Sequence, residues 1–162
     1  MVTSIHDAQQ GSRETFKKAL ELGFAGGLAF WAANFATSLI PIAAQYRAEL
    51  SISYTLMVLV ESLVGGLIIG FCVSYALLRL HDSIPSKTPI MKSLTLSLFA
   101  LVIIQAFATV LDLGYPPFYI LLGAGLNLPR FLALGFVIGL LYDRFSGEVR
   151  LDSRARTRPS GS

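Results

Sequence analysis

The sequence predicts an all-α integral membrane protein, a bundle of four transmembrane helices with both termini cytoplasmic. Three observations carry that reading. Charged residues make up only 14% of the 162 residues, and the mean hydropathy is +0.63; soluble domains carry about 25% charged residues. Several uncharged stretches approach or exceed the ~18–20 residues that cross a ~30 Å hydrocarbon layer as a helix. Most of the Lys and Arg residues fall in alternate polar segments between those stretches.

Residues 1–21 are read as a polar cytoplasmic segment of mixed charge, with Asp7, Arg13, Glu14, Lys17 and Lys18. A secretory signal would place ~7–15 apolar residues near the start, so insertion without cleavage is expected. Residues 22–145 are the transmembrane domain, with helices expected at about 22–45, 56–78, 90–111 and 128–142. Before the fourth helix, Gly123, Gly125 and Asn127-Leu128-Pro129 interrupt an apolar run that begins at Phe118. Proline suits the first turn of a helix and asparagine its N-cap, so 118–126 reads as an interfacial or re-entrant piece. One kinked helix from Phe118 is the competing reading. Residues 146–162 are read as a basic, mobile cytoplasmic tail.

Orientation follows from positive charge, because Lys- and Arg-rich loops tend to remain cytoplasmic. Arg13, Lys17 and Lys18 precede the first helix; Arg79, Lys87 and Lys92 lie between the second and third; Arg144, Arg150, Arg154, Arg156 and Arg158 follow the fourth. Only Arg47 and Arg130 of the 13 basic residues fall on the opposite side. Both termini on one side require an even number of spans. Aromatic residues fit the same frame, with Tyr46, Tyr54, Tyr115, Phe118 and Tyr119 at the outer boundary and Phe16, Tyr75 and Tyr142 at the inner one.

Membrane helices associate through small residues and polar contacts, since lipid is as apolar as leucine. Gly23/Gly27, Gly66/Gly70 and Gly135/Gly139 are spaced i, i+4 in three different helices and are the expected packing sites. At ~100° per residue, Gly23, Gly27, Phe30, Asn34, Ser38 and Pro41 share a stripe, whereas Phe24, Leu28, Trp31, Phe35 and Leu39 should face lipid. In the second helix Glu61, Gly65, Ile68, Cys72, Tyr75 and Arg79 oppose Gly66 and Gly70, which predicts a helix held between neighbours. Cys72 reads there as a small buried hydrophobe. Asn34-Phe-Ala-Thr-Ser-Leu39 resembles Ala106-Phe-Ala-Thr-Val-Leu111, and Gly66-Leu-Ile-Ile-Gly70 resembles Gly135-Phe-Val-Ile-Gly139, as a duplicated hairpin would.

Glu61 is the charge that most needs explaining. An acidic residue in the middle of a span costs about 2.5–3.5 kcal/mol on insertion scales, and less near the edge. Asp112 and Arg130 are expected at the same depth. Together with Asn127 they form the candidate polar or ion site, which would take an ion, a proton or a small polar solute. The structural reading of the same charges, an ion pair that fixes helix register, carries more weight. Asn34 and Gln105 lie near mid-membrane, where an interhelical hydrogen bond is worth about 0.6 to 2 kcal/mol.

A single cysteine excludes a disulfide scaffold, and the apolar content excludes a disordered chain or an ordinary soluble enzyme. His-Glu-x-x-His, paired-cysteine, phosphate-loop and Gly-x-Ser-x-Gly motifs do not occur. No catalysis, metal or cofactor is therefore expected. The expected partners are the lipid bilayer, other membrane subunits or further copies of the chain, and anionic lipid at the arginines of the tail. Nucleic acid is not among them. The sequence points to a non-catalytic subunit of a larger assembly in the cell membrane, or to a homo-oligomeric component. The alternative is a small oligomeric channel or transporter that uses Glu61.

Overall fold

The computed structural model describes residues 2–49, 56–111 and 116–156, and among these every regular element is a helix. In chain order they are α1 (Val2–Ser38), α2 (Pro41–Glu49), α3 (Leu56–Leu80), α4 (Pro89–Leu111) and α5 (Pro117–Arg156). Three of them hold stretches long and apolar enough to cross a bilayer: Val58–Leu80, Pro89–Val110 and Pro117–Arg144. A fourth crossing results if the bent pair α1–α2 is one span. These are the helices of a membrane-embedded protein.

The first helix departs from the continuous span expected over 22–45. It ends at Ser38, and α2 leaves at 86° from the axis of Ser12–Ser38. Pro41 is the cause: it has no N–H to donate, its ring crowds the carbonyl four residues earlier, and it disfavours helix at the preceding residue. The same proline suits the first position of α2. Arg47 Nη2 donates to the Ser38 carbonyl at 3.1 Å and so satisfies one of the acceptors exposed by the break.

Proline acts differently in α5. Pro129 lies inside a single helix of 40 residues, which corrects the expectation of a separate piece over 118–126 and a start near 128. Its ring crowds the carbonyl of Gly125, one turn before, yet the helix continues through it. At 1.5 Å per residue α5 is roughly 60 Å long, about twice the hydrocarbon thickness, so its end extends past any span. It reaches Arg156, into the segment read as a mobile tail. Residues beyond 156 lie outside the described ones, and so does any contact of the tail arginines with lipid. At the other terminus α1 begins at Val2, within the polar segment.

Glycine decides which helices meet. A Cβ on Gly23 would stand 2.7 Å from the backbone of Phe71, and one on Gly27 2.8 Å from Leu67 Cα. Across the contact, Gly70 abuts the Gly23 carbonyl and Gly66 the Gly27 carbonyl. Bare backbones of α1 and α3 therefore touch. About 70 residues further along, α4 and α5 repeat the arrangement. Gly135 lies against Ser97 and the Ser93 carbonyl, and Gly139 lies 2.5 Å from Ile90 Cα when a Cβ is added. α5 also packs against α1, where Phe30 and Phe131 meet edge to face at 5.3 Å. Phe30, Val73, Leu77, Leu101, Phe131, Leu134 and Ile138 form the core between the two hairpins.

The outer surfaces are apolar, as lipid contact requires: Phe24, Phe35, Phe99, Phe107, Leu121 and Phe136 all point outward. Trp31, expected among the lipid-facing residues of α1, is half-buried instead, and its Nε1 donates to the Leu59 carbonyl of α3 at 3.1 Å. At the far end of the bundle Lys92 is buried and donates to the His81 carbonyl just past α3. A cation there complements the negative end of the helix dipole. The His81 ring stacks on Tyr142 at 4.9 Å.

Candidate functional site

The break after Ser38 opens a cavity of about 250 Å³ between α1, α2, α3 and α5. Asn34 and Ser38 reach it from the last turns of α1, Tyr46 and Arg47 from α2, Ser62 from α3, and Asn127 and Arg130 from α5. Pro41 sets this up, since a straight continuation of α1 would carry residues 41–49 away from α5. Gly123 admits α2 from the other side: a Cβ there would stand 2.7 Å from Tyr46 Oη. Tyr119 stands one turn before, its ring 6.4 Å from that of Tyr46.

The described lining is polar at its centre. It holds two guanidinium groups, two amides and three hydroxyls, and no carboxylate among the described residues. Arg130 Nη1 donates to Asn127 Oδ1 at 2.8 Å, one turn away on α5. Arg47 is aimed by its bond to the Ser38 carbonyl. The Ser38 and Ser62 hydroxyls donate to carbonyls of their own helices, Phe35 at 2.6 Å and Leu59 at 2.9 Å. Asn34 is only 4% exposed and lines the cavity from the last turns of α1.

Of the four residues expected to form one polar site, Asn127 and Arg130 come together here. Glu61 does not join them. Its neighbour Ser62 faces the cavity, while Glu61 lies on the outer face of α3 in a shallow groove lined by Leu56, Val60, Val64, Gly65 and Ile68. Asp112 lies outside the described residues. Gln105 is half-buried in α4, and its Nε2 donates to the Ile120 carbonyl of α5 at 3.3 Å.

The groove around Glu61 corrects the view that α3 is held between neighbours. Glu61, Ile68, Cys72, Tyr75 and Arg79 are all exposed, and nothing lies within 4 Å of the Cβ position of Gly65. The glycines on the opposite side spend the contact surface of α3 on α1, which leaves this stripe outward. Cys72 is accordingly exposed rather than buried.

Sequence reasoning missed Arg47, Tyr46, Ser38 and Ser62 as members of the cavity. One signal was present: Arg47 and Arg130 are the two basic residues that break the charge bias, and they end up together. What the fold and the site define is a helical membrane protein with a polar, arginine-containing cavity at one end and the Glu61 carboxylate on an outer apolar face. Comparisons with known protein families, curated proteins and solved structures each find no match.

Proposed function

We propose that the chain is a four-span, multi-pass protein of the cell membrane with both termini cytoplasmic, acting as a non-catalytic subunit of a larger membrane assembly. The observation that carries the subunit role is the exposed position of Glu61 on an otherwise apolar face of α3. It stands three residues inside the apolar stretch that begins at Val58, about 4.5 Å along the helix at a 1.5 Å rise. Lipid tails offer a carboxylate no hydrogen-bond donor, so a charge there favours a partner.

Gly65, one turn further in, supports the same reading. Glycine inside a helix costs about 0.5–1 kcal/mol relative to alanine, and against lipid nothing offsets that cost. Against another helix it allows close approach. A carboxylate beside a gap in the side-chain layer suits a transmembrane helix carrying lysine, arginine or another donor at that depth. A second copy of this chain fits less well, because a two-fold contact on this stripe would bring two Glu61 carboxylates together. Transport through Glu61 is the weaker alternative, since the neighbours of Glu61 are apolar and the polar cavity does not include it.

Extraction in mild detergent, native electrophoresis and identification of the co-migrating subunit test the proposal. The expected partner has a basic or donor residue at the depth of Glu61. Gly65→Leu and Glu61→Leu should each release it while the chain keeps its own thermal midpoint. Cys72 provides a second readout on the same face. A high-yield Cys72-linked homodimer on mild oxidation of membranes, or variants that hold the partner as wild type does, would overturn the heteromeric reading.

A further inference from the structure

Resting on the subunit role proposed for the Glu61 face, we infer that its partner is one transmembrane helix carrying a base near one end and a carboxylate near the other. Arg79 follows Glu61 by 18 residues, roughly five full turns at 3.6 residues per turn. The two charges therefore project along one line of α3, about 27 Å apart at a 1.5 Å rise. Both are exposed and both lie within the apolar stretch Val58–Leu80, one near each end. At 100° per residue, Gly65, Ile68, Cys72 and Tyr75 lie within about 40° of that line. Tyr75 steers the far charge: Arg79 Nε donates to its Oη at 3.3 Å, and the guanidinium stands 5.8 Å from its ring centre.

Charge complementarity sets the occupant. A base on the partner meets Glu61, a carboxylate five turns along meets Arg79, and the open space at Gly65 lets the two backbones approach between them. Lipid tails match only the apolar middle of the line. Both pairs form on a single partner only if the helices stay nearly aligned over the whole distance. A crossing near +20° meets that condition, whereas one near −50° would carry the axes about 10 Å apart at each end. A second copy of the chain fails on the same grounds. A parallel two-fold contact sets Glu61 against Glu61 and Arg79 against Arg79. An antiparallel copy would pair them, but it needs the opposite orientation in the bilayer, against the one-sided Lys and Arg of the polar segments.

Synthetic transmembrane peptides test the pattern on the full-length protein in phosphatidylcholine vesicles. All share one Leu-Ala host, lack tryptophan and carry a dansyl acceptor. Binding is read as energy transfer from Trp31, the chain's single tryptophan, whose indole donates to the Leu59 carbonyl two residues before Glu61. One peptide bears Lys and Glu 18 residues apart, in phase with Glu61 and Arg79. The others bear Lys alone, no charge, or Lys with the Glu moved by two residues, ~200° round the helix. The in-phase peptide should bind about three- to thirtyfold more tightly than the Lys-only and out-of-phase peptides. Arg79→Gln should erase that margin and leave the affinity for the Lys-only peptide unchanged. Equal binding of the three Lys peptides, lost in Glu61→Gln, overturns the two-charge pattern and leaves the Glu61 reading standing; so does a margin that survives Arg79→Gln. Binding no tighter than that of the uncharged peptide, and unchanged in Glu61→Gln, overturns both and leaves the face to lipid. Should Arg79→Gln fail to fold, the peptide series on the wild-type chain decides.

Discussion

Arg47 and Arg130 line one cavity although they belong to α2 and α5, helices with no sequence connection near either residue. Their meeting depends on a bend of 86° after Ser38 and on Gly123, which leaves room for Tyr46 beside α5. The two basic residues that depart from the charge bias thus share one purpose-built environment. Each of the following predictions probes a contact that holds that environment together.

Replacing Gly70 by alanine should loosen the α1–α3 contact, because the new methyl would run into the Gly23 carbonyl, a backbone atom that cannot step aside. Overpacking of this kind costs about 1–3 kcal/mol. Gly65→Ala, five residues earlier on the open side of α3, should be neutral or stabilise the isolated chain by about 0.5–1 kcal/mol. Denaturation of both variants in mixed micelles measures the contrast. Equal effects would mean that α1 does not pack on α3 through Gly70.

Lys92→Met keeps most of the buried stem and removes the ammonium that donates to the His81 carbonyl. A charged group bonded at a helix C-terminus is worth about 1–2 kcal/mol when partly buried, so the variant should unfold more readily by that amount. The loss should show as faster amide exchange around residues 78–82, read by mass spectrometry. Unchanged exchange there would remove Lys92 as the cap of α3.

Gln105→Leu removes the one side-chain bond described between α4 and α5, that to the Ile120 carbonyl. Polar contacts between membrane helices average about 0.6 kcal/mol, so the penalty should be small and should not exceed about 2 kcal/mol. A larger loss on the same denaturation assay would point to a role for Gln105 beyond this bond.

Much of the architecture was legible along the chain because its causes are local. Apolar length reveals helices fit for a membrane, and i, i+4 glycines mark surfaces where backbones can touch. Pro41 and Pro129 show the limit of such reasoning. Both residues lack an N–H, yet one ends a helix and the other sits inside a 40-residue helix. The outcome depends on surroundings: after Ser38 the chain gains Arg47 on a freed carbonyl, whereas around Pro129 the long α5 packs on both α4 and α1.

The candidate site was half legible. Arg130, Asn127 and Asn34 were marked by their polarity within apolar sequence, and they do line one cavity. Glu61 was marked for the same reason and lies elsewhere, because neighbouring residues on a helix point ~100° apart, so Glu61 and Ser62 face different surroundings. By itself the sequence determined that this is a helical, membrane-embedded chain with a few polar groups too costly to be incidental. Only the tertiary structure decided which of those groups meet. Depth along a helix can be counted from sequence, but the direction a side chain faces takes meaning from the neighbouring helix, and here glycine contacts and one proline bend chose the neighbours.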